Sequence, residues 1–544
     1  MNPRSDDNAA PALLEVGSLE VAIAGETRLS GVSLTLGAGE ILGLVGASGS
    51  GKSLTALAIL GLLPPRSRRS GRILLNGRDL VPLTERELSA VRGLDLGMVF
   101  QEPMTALNPL LSIGAQVAET ARLHAAAGRR EAERLARQAL ARVGLDASRQ
   151  SLERYPHELS GGQRQRVAIA MATVLTPAVL IADEPTTALD MTSQAQVLGC
   201  LRDLVRLTGM GIVLVTHDMS VIAANTTRVA VMHRGRIIEH GATRAILRRP
   251  AEPQTQALVD AARLERPRRA RGSGAAPTPP VLEIIDVVHD YPQRRRALWP
   301  PPPPWRALDH VSLEVGAGEI VGLVGESGSG KSSLLRVLLA LDAPAGGTVR
   351  LRGENFTDAR GARQRRMRRD IQAVFQDPYG SFDPEWSIER LVAEPCHLLD
   401  PHPGPAERAR MVAEELERVG LAASDARRHP HEFSGGQRQR IAIARAMITA
   451  PAVIALDEAL SALDVLVRAQ ILALLAELAD AAKLSFLFIS HDLAVVRAIA
   501  DRVYVMQRGR IIEHGPTLSV FDSPQDAYTA ALLAAAPSLD AVLA

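Results

Sequence analysis

At 544 residues the chain is too long for one hydrophobic core and fits roughly two to four domains. Its 62 basic and 60 acidic residues leave a formal charge of +2, which argues against a general nucleic-acid binder. Cys200 and Cys396 are the only cysteines, which excludes a disulfide framework or a four-cysteine metal site and fits a reducing cytoplasm.

Met1 to Pro11 is polar and acidic, lacks an apolar run of signal-peptide type, and reads as a disordered N-terminus before a first domain over 12–262. No stretch approaches the ~20 apolar residues that cross a bilayer. If the chain works at a membrane, other subunits do the crossing.

The first chemical signal follows Ile41 to Val45, a short apolar run of buried-strand type. It leads into Gly46-Ala47-Ser48-Gly49-Ser50-Gly51-Lys52-Ser53, which satisfies the phosphate-loop pattern G-x-x-x-x-G-K-[ST]. The glycines let backbone N–H groups close around phosphate oxygens. Lys52 supplies a point charge to the outer phosphates, and the Ser53 hydroxyl can ligate magnesium. A helix-like segment from Leu54 turns its positive end toward the anion.

Further along, Gly97 to Phe100 is strand-like and precedes Gln101. Ala178 to Ala182 is continuously apolar, as a strand covered on both faces of a parallel sheet should be. It delivers Asp183 and Glu184 to the C-terminal edge, where open α/β sheets bind ligands. Asp183 can hold magnesium, directly or through water, and Glu184 can orient and deprotonate an attacking water. A lone Asp-Glu pair is more often a helix cap or a solvated turn; the strand before it and the phosphate loop reverse that reading. Ile212 to Val215 precedes Thr216-His217-Asp218, whose histidine by itself reads as a structural strand end.

Arg263 to Pro280 is rich in Arg, Pro, Gly and Ala, a flexible basic linker between copies. Beyond it the unit is written again over 281–544. Leu282-Glu283-Ile284 echoes Leu14-Glu15-Val16. The second phosphate loop is Gly325-Glu326-Ser327-Gly328-Ser329-Gly330-Lys331-Ser332. Lys331 lies 279 residues after Lys52 and Gln376 lies 275 after Gln101, whereas Ser434, Asp457 and His491 each lie 274 after their counterparts. The length changes are therefore confined to the first third. A period this long means duplicated domains rather than a solenoid. Between Trp299 and Trp305, Pro300 to Pro304 reads as a stiff polyproline loop inserted between two strands of the second domain.

A phosphate loop with an acidic strand defines an NTPase and no more. Across nearly all of both halves, however, the sequence resembles the ATP-binding cassette family. Leu159-Ser160-Gly161-Gly162-Gln163 and Phe433-Ser434-Gly435-Gly436-Gln437 look like its signature loops, each a glycine pair opening a helix as a second anion cradle. The resemblance implies two tandem α/β P-loop NTPase domains, each a RecA-like core with an antiparallel β subdomain and a helical subdomain. It implies that Ser434, Gly435 and Gly436 close on the ATP at Lys52, and Ser160, Gly161 and Gly162 on the ATP at Lys331. His217 and His491 match the switch histidine that contacts the γ-phosphate and water. Gln101 and Gln376 match the magnesium-sensing glutamine, and Asp190 and Asp464 the loop that bridges the two sites. Metal ligation is thereby expected at Ser53, Gln101 and Asp183, and at Ser332, Gln376 and Asp457; catalysis is expected at Glu184 with His217 and at Glu458 with His491. The cofactors implied are ATP and Mg2+.

Gln101-Glu102-Pro103 through Asn108-Pro109, Gln376-Asp377-Pro378 through Asp383-Pro384, and the ends at Pro253 to Leu258 and Tyr528 to Leu533 are similar to the oligopeptide, dipeptide and nickel importer branch. That implies two integral membrane permease subunits, an extracytoplasmic substrate-binding protein, and a peripheral place on the cytoplasmic face of a bacterial inner membrane. Peptides lead as cargo, with nickel, metal chelates and glutathione open. The rival is a soluble tandem cassette acting on ribosomes or DNA. The short proline-rich linker argues against the first, and two cysteines exclude zinc-finger insertions of the second kind. Departures from the family pattern are also visible. Tyr291 matches the aromatic residue that stacks on adenine, but Ile23 occupies its place in the first copy. Ala459 follows Glu458 where Pro185 follows Glu184, and the C-terminal cysteine cluster of some peptide-importer ATPases is absent from the sequence.

Overall fold

A computed structural model describes residues 12–101, 106–125, 127–146, 148–187, 189–263, 280–293, 303–377, 380–461, 463–481, 483–536 and 539. The expected N-terminus, nearly all of the linker, Glu102-Pro103, Pro378 and Pro300 to Pro302 lie outside the described residues. Two compact units are found, one made chiefly of Met1–Arg263 and the other chiefly of Leu264–Leu463 and Val467–Ala536.

In the first unit the strands are β1 (Leu14–Ile23), β2 (Glu26–Leu36), β3 (Ile41–Val45), β4 (Ser67–Leu75), β5 (Arg78–Asp79), β6 (Leu96–Val99), β7 (Val179–Asp183), β8 (Gly211–Thr216), β9 (Arg228–His233) and β10 (Arg236–Ala242). Four form an antiparallel sheet in the order β2-β1-β4-β5. β2 ends in strict alternation, burying Val32, Leu34 and Leu36 and exposing the residues between, as a sheet with one wet face requires. The other six are ordered β10-β9-β3-β8-β7-β6, parallel except for the antiparallel edge strand β10. Here every residue of β7 and β8 is buried, because helices cover both faces.

Between β6 and β7 the chain makes a helical layer, chiefly Ile113–His124, Arg129–Arg142 and Gly161–Thr173. The middle helix buries Ala132, Ala136, Ala139 and Leu140, an apolar stripe at helical spacing on an otherwise charged segment. These residues share one cluster with Val167, Ala170, Leu180 and Ile212, so the layer rests on the strands that carry the motifs.

The second unit repeats the plan with β11 (Pro280–Tyr291), β12 (Trp305–Gly316), β13 (Ile320–Val324), β14 (Gly346–Leu351), β15 (Glu354–Asn355), β16 (Ile371–Val374), β17 (Val453–Asp457), β18 (Ser485–Ser490), β19 (Arg502–Gln507) and β20 (Arg510–Pro516). Its sheets are β12-β11-β14-β15 and β16-β17-β18-β13-β19-β20. Residues 24–25 join β1 to β2, whereas residues 292–304 join β11 to β12, which is where the proline-rich stretch falls. The expected α/β core, antiparallel sheet and helical layer are thus present in each unit. β7 and β8 run one residue past the apolar runs 178–182 and 212–215, because the ladders continue onto Asp183 and Thr216.

Candidate active site

β3 and β7 are not neighbours; β8 lies between them. Neighbouring strands are ~4.8 Å apart, so their termini stand roughly 10 Å from each other and only side chains can close the gap. Register aligns them. Val45 pairs with Thr216, Asp183 with Val215, and Val99 with Ala182, so all four strands end at one sheet edge. That edge receives the phosphate loop after β3, Gln101 after β6, Glu184 after β7 and His217 after β8. In the second unit Val324 pairs with Ser490, Asp457 with Ile489, and Val374 with Leu456, with the same convergence of the Gly325 loop, Gln376, Glu458 and His491.

The loop wraps around its own lysine. Lys52 is buried and its Nζ donates to the Gly46 carbonyl at 2.8 Å and the Ala47 carbonyl at 3.0 Å. Burial lowers its pKa, while Glu184 and Asp183 act the other way. Lys331 repeats the contacts at 2.7 Å to Gly325 and 2.8 Å to Glu326. The first glycine is required by contact: a Cβ on Gly46 would sit 2.3 Å from the Met232 carbonyl oxygen, and one on Gly325 2.2 Å from that of Met506. The helices begin at Lys52 and Lys331, two residues earlier than Leu54 predicts, because left-handed Gly51 and Gly330 (φ 106° and 112°) turn the chain directly into them. Lys52 and Ser53 therefore occupy the first turn, whose N–H groups have no helical partner and can meet an anion. The Ser50 hydroxyl is buried without a partner, an orphan that a phosphate oxygen would satisfy.

Asp183 is 5% exposed and accepts from the Ser53 hydroxyl at 3.2 Å. Burial pushes its carboxyl up to about 6, with the Ser53 bond pulling the other way; Asp457 is likewise pushed up to about 6 by burial. Asp183 and Ser53 thus place a carboxylate and a hydroxyl oxygen side by side in a buried position. This chemistry fits a hard divalent cation.

The setting of Glu184 holds more than one motif letter conveys. Its backbone is left-handed (φ 46°), strained for a non-glycine residue, and its N–H is held by the Val215 carbonyl at 2.8 Å. Its carboxylate accepts from Gln101 Nε2 at 2.9 Å and the Thr187 hydroxyl at 2.9 Å, and lies 3.1 Å from His217 Nδ1. Burial raises its pKa, but the hydrogen bond and charge of His217, the Thr187 hydrogen bond and the charge of Lys52 together more than offset this, holding it below the ordinary value. Glu458 has the same left-handed backbone (φ 48°), and His491 Nδ1 lies 3.1 Å from its carboxylate. That hydrogen bond lowers the Glu458 pKa despite burial, and raises His491 despite its own desolvation. Thr187 was not legible as a site residue; its only signal is its place three residues after Glu184, in the turn closed by its N–H on the Glu184 carbonyl. Ser461 stands in the corresponding turn but donates to the Glu458 backbone carbonyl instead.

The two signature loops each start a helix as expected. Ser160 and Ser434 cap Gly161–Thr173 and Gly435–Met447, reciprocally with Gln163 and Gln437. The second glycine is again forced by contact, since a Cβ on Gly162 would meet the Ser193 side chain at 2.7 Å and one on Gly436 the Val467 side chain at 2.3 Å. Tyr291 ends β11 as Ile23 ends β1, each at the matching ladder position. The Tyr291 ring stacks on Trp305 (6.0 Å, 15°), meets His289 edge-on at 4.7 Å and donates its hydroxyl to Asp342 at 3.4 Å.

Fold and site together define a pair of P-loop ATPase units. Residues 29–187 and 308–461 match the family model described as ABC transporter, and 512–544 match that described as Oligopeptide/dipeptide transporter, C-terminal region. The glutathione import ATP-binding protein GsiA of Escherichia coli (strain K12) is 44% identical over 98% of this chain and 91% of its own length. The protein of that name from Salmonella typhimurium (strain LT2) is 42% identical over 99% and 92%. A solved dimeric ATP-binding cassette bound to ADP and phosphate is 28% identical, with a TM-score of 0.39, and covers 43% of this chain and 98% of its own. The chain belongs to the ABC transporter family. It is an ATPase that uses ATP with Mg2+. The Asp183–Ser53 pair, the orphan Ser50 hydroxyl and the lysine cradles described above fit both groups. Among the described residues, no helix is long and apolar enough to cross a membrane.

Both cysteines are buried, Cys200 at 7% and Cys396 at 3% exposed. Burial pushes the Cys200 thiol up to about 12 and raises Cys396 as well. Since the thiolate is the reactive form, neither reacts readily in the folded protein. At pH 8 a chromogenic disulfide reagent should label both thiols rapidly in guanidinium and less than a tenth as fast natively. Rapid native labelling would contradict the packing.

Proposed function

We propose that this chain is the ATP-hydrolysing subunit of an importer for small peptides, glutathione among them. It would act with two integral membrane permease subunits and an extracytoplasmic substrate-binding protein, on the cytoplasmic face of a bacterial inner membrane. The observation that carries it is that both units hold a complete set at one sheet edge: Lys52, Asp183, Glu184 and His217, and Lys331, Asp457, Glu458 and His491. We place the two nucleotide-binding domains at 12–262 and 281–544, joined by the linker 263–280. The match of the C-terminal region and the import function in the relatives' names support the cargo class, and those names favour glutathione, a tripeptide.

In this reading the loops Gly46–Ser53 and Gly325–Ser332 bind the phosphates. Ser53, Asp183 and Gln101, with Ser332, Asp457 and Gln376, hold the cation, which supplies positive charge to the phosphate oxygens. Glu184 and Glu458 orient the water and take its proton. Their depressed pKa keeps them ionised, while His217 and His491 hold the carboxylates in place. The signature residues Ser434, Gly435, Gly436 and Gln437 close on the ATP at Lys52, and Ser160, Gly161, Gly162 and Gln163 on that at Lys331.

Uptake of labelled glutathione and of labelled dipeptides, by cells with and without this chain, tests the assignment. Loss of uptake of neither cargo would refute it. Adenine stacking on Tyr291, which Ile23 cannot match, leads to a second expectation. Base–aromatic stacking contributes about 1–3 kcal/mol, and isoleucine retains part of it. Lys331→Ala, which leaves only the Lys52 site, should therefore bind ATP about fivefold more weakly than Lys52→Ala. Equal affinities would exclude the asymmetry.

A further inference from the structure

The C-terminal helix Ala527–Ala535 is fastened to the second unit beside its phosphate loop. Glu513 on β20 accepts from the N–H groups of Gln525 at 2.8 Å and Asp526 at 3.2 Å, and Asp526 caps the helix through the Tyr528 N–H at 2.7 Å. The first unit has the same fastening: Glu239 on β10 accepts from Ala251 at 2.9 Å and Glu252 at 3.4 Å, ahead of the helix Pro253–Arg263. What differs is the side chain that follows. Gln254 stands exposed where the second unit has half-buried Tyr528. The Tyr528 hydroxyl oxygen accepts the backbone N–H of Glu326, inside the phosphate loop, at 3.0 Å.

That contact holds one residue of the loop through both of its backbone polar groups. The N–H of Glu326 is held by Tyr528, and its carbonyl accepts from Lys331 Nζ at 2.8 Å and from the Ser329 N–H at 3.2 Å. A loop that must present its N–H groups in one arrangement gains affinity when its conformation is fixed beforehand. We propose that Tyr528 is a positioning residue for the ATP site of the second unit, tying ATP affinity there to the C-terminal segment, with no counterpart in the first. This rests on the reading of the Lys331 loop as an ATP site.

A neutral hydrogen bond of this kind is worth about 0.5–1.5 kcal/mol net. Tyr528→Phe keeps the ring and removes the hydroxyl, so ATP should bind the second site about three- to tenfold more weakly, with KM raised and kcat within about twofold. The measurement is titration of the full chain with a fluorescent ATP analogue in a Lys52→Ala background, alongside hydrogen exchange of the Glu326 amide. Faster exchange and weaker binding in Tyr528→Phe, matched by Tyr528→Leu, are the expected results. If Tyr528→Phe behaves as the parent and only Tyr528→Leu weakens binding, the ring merely packs and the inference is overturned. If Lys52→Ala with Tyr528 intact binds no analogue, the reading of the loop fails first and the inference with it.

Discussion

Glu184→Gln combined with Glu458→Gln should abolish phosphate release while the protein retains ATP. Each glutamine has nearly the size of the residue it replaces and can still accept one of the hydrogen bonds that reach Glu184 from Gln101 and Thr187. What it cannot do is take a proton from water. General-base catalysis contributes about 10²–10⁴-fold, so turnover should fall by at least about a hundredfold. Binding should survive, because Lys52, Lys331 and their loops are untouched. Each single substitution shows whether one intact glutamate supports hydrolysis in the other's absence. Near-normal turnover by the double variant would remove both glutamates from the mechanism. Loss of ATP binding would show that they hold the loop rather than activate water.

The second large effect is expected from a single methyl group. In Gly325→Ala the new Cβ would lie 2.2 Å from the Met506 carbonyl oxygen and 2.9 Å from the Ser329 hydroxyl. That carbonyl belongs to β19, which is hydrogen-bonded on both sides and cannot retreat. The loop must move instead, taking with it the Gly325 carbonyl that binds Lys331. Overpacking of this kind costs about 1–3 kcal/mol. With tenfold per 1.4 kcal/mol, ATP affinity at this site should fall about tenfold or more. An ATP-analogue titration in the Lys52→Ala background reads the binding, and a thermal melt shows whether the unit itself is weakened. Parent-like affinity would mean that the loop does not press on β19 as described.

Much of the candidate site was legible in linear order, for a physical reason. Phosphate loops, strand-end carboxylates and capped glycine pairs are short-range devices: the residues that make each work lie within eight positions of one another. The duplication added a second, independent instance of every motif, and the apolar runs before Gly46, Asp183 and His217 showed that each sits at a strand end. Where a boundary shifted, local backbone geometry was the cause. Left-handed Gly51 starts its helix at Lys52, and pairing with β8 carries β7 through Asp183.

Tertiary structure decided how those pieces meet. Sequence order puts Lys52 and Asp183 far apart and says nothing of β8 between their strands; only the register of β3, β8 and β7 brings the Ser53 hydroxyl to 3.2 Å from Asp183. The left-handed backbone of Glu184 and the Thr187 hydroxyl on its carboxylate depend on a turn packed against β8, not on any residue pattern. Tyr528 is the clearest case. It lies 202 positions from Glu326, and its role is set by where the C-terminal helix is fastened. The linear sequence carried the two motif sets and their order along the chain. The fold determined which side chains restrain them, because those contacts run between segments that only the sheet brings together.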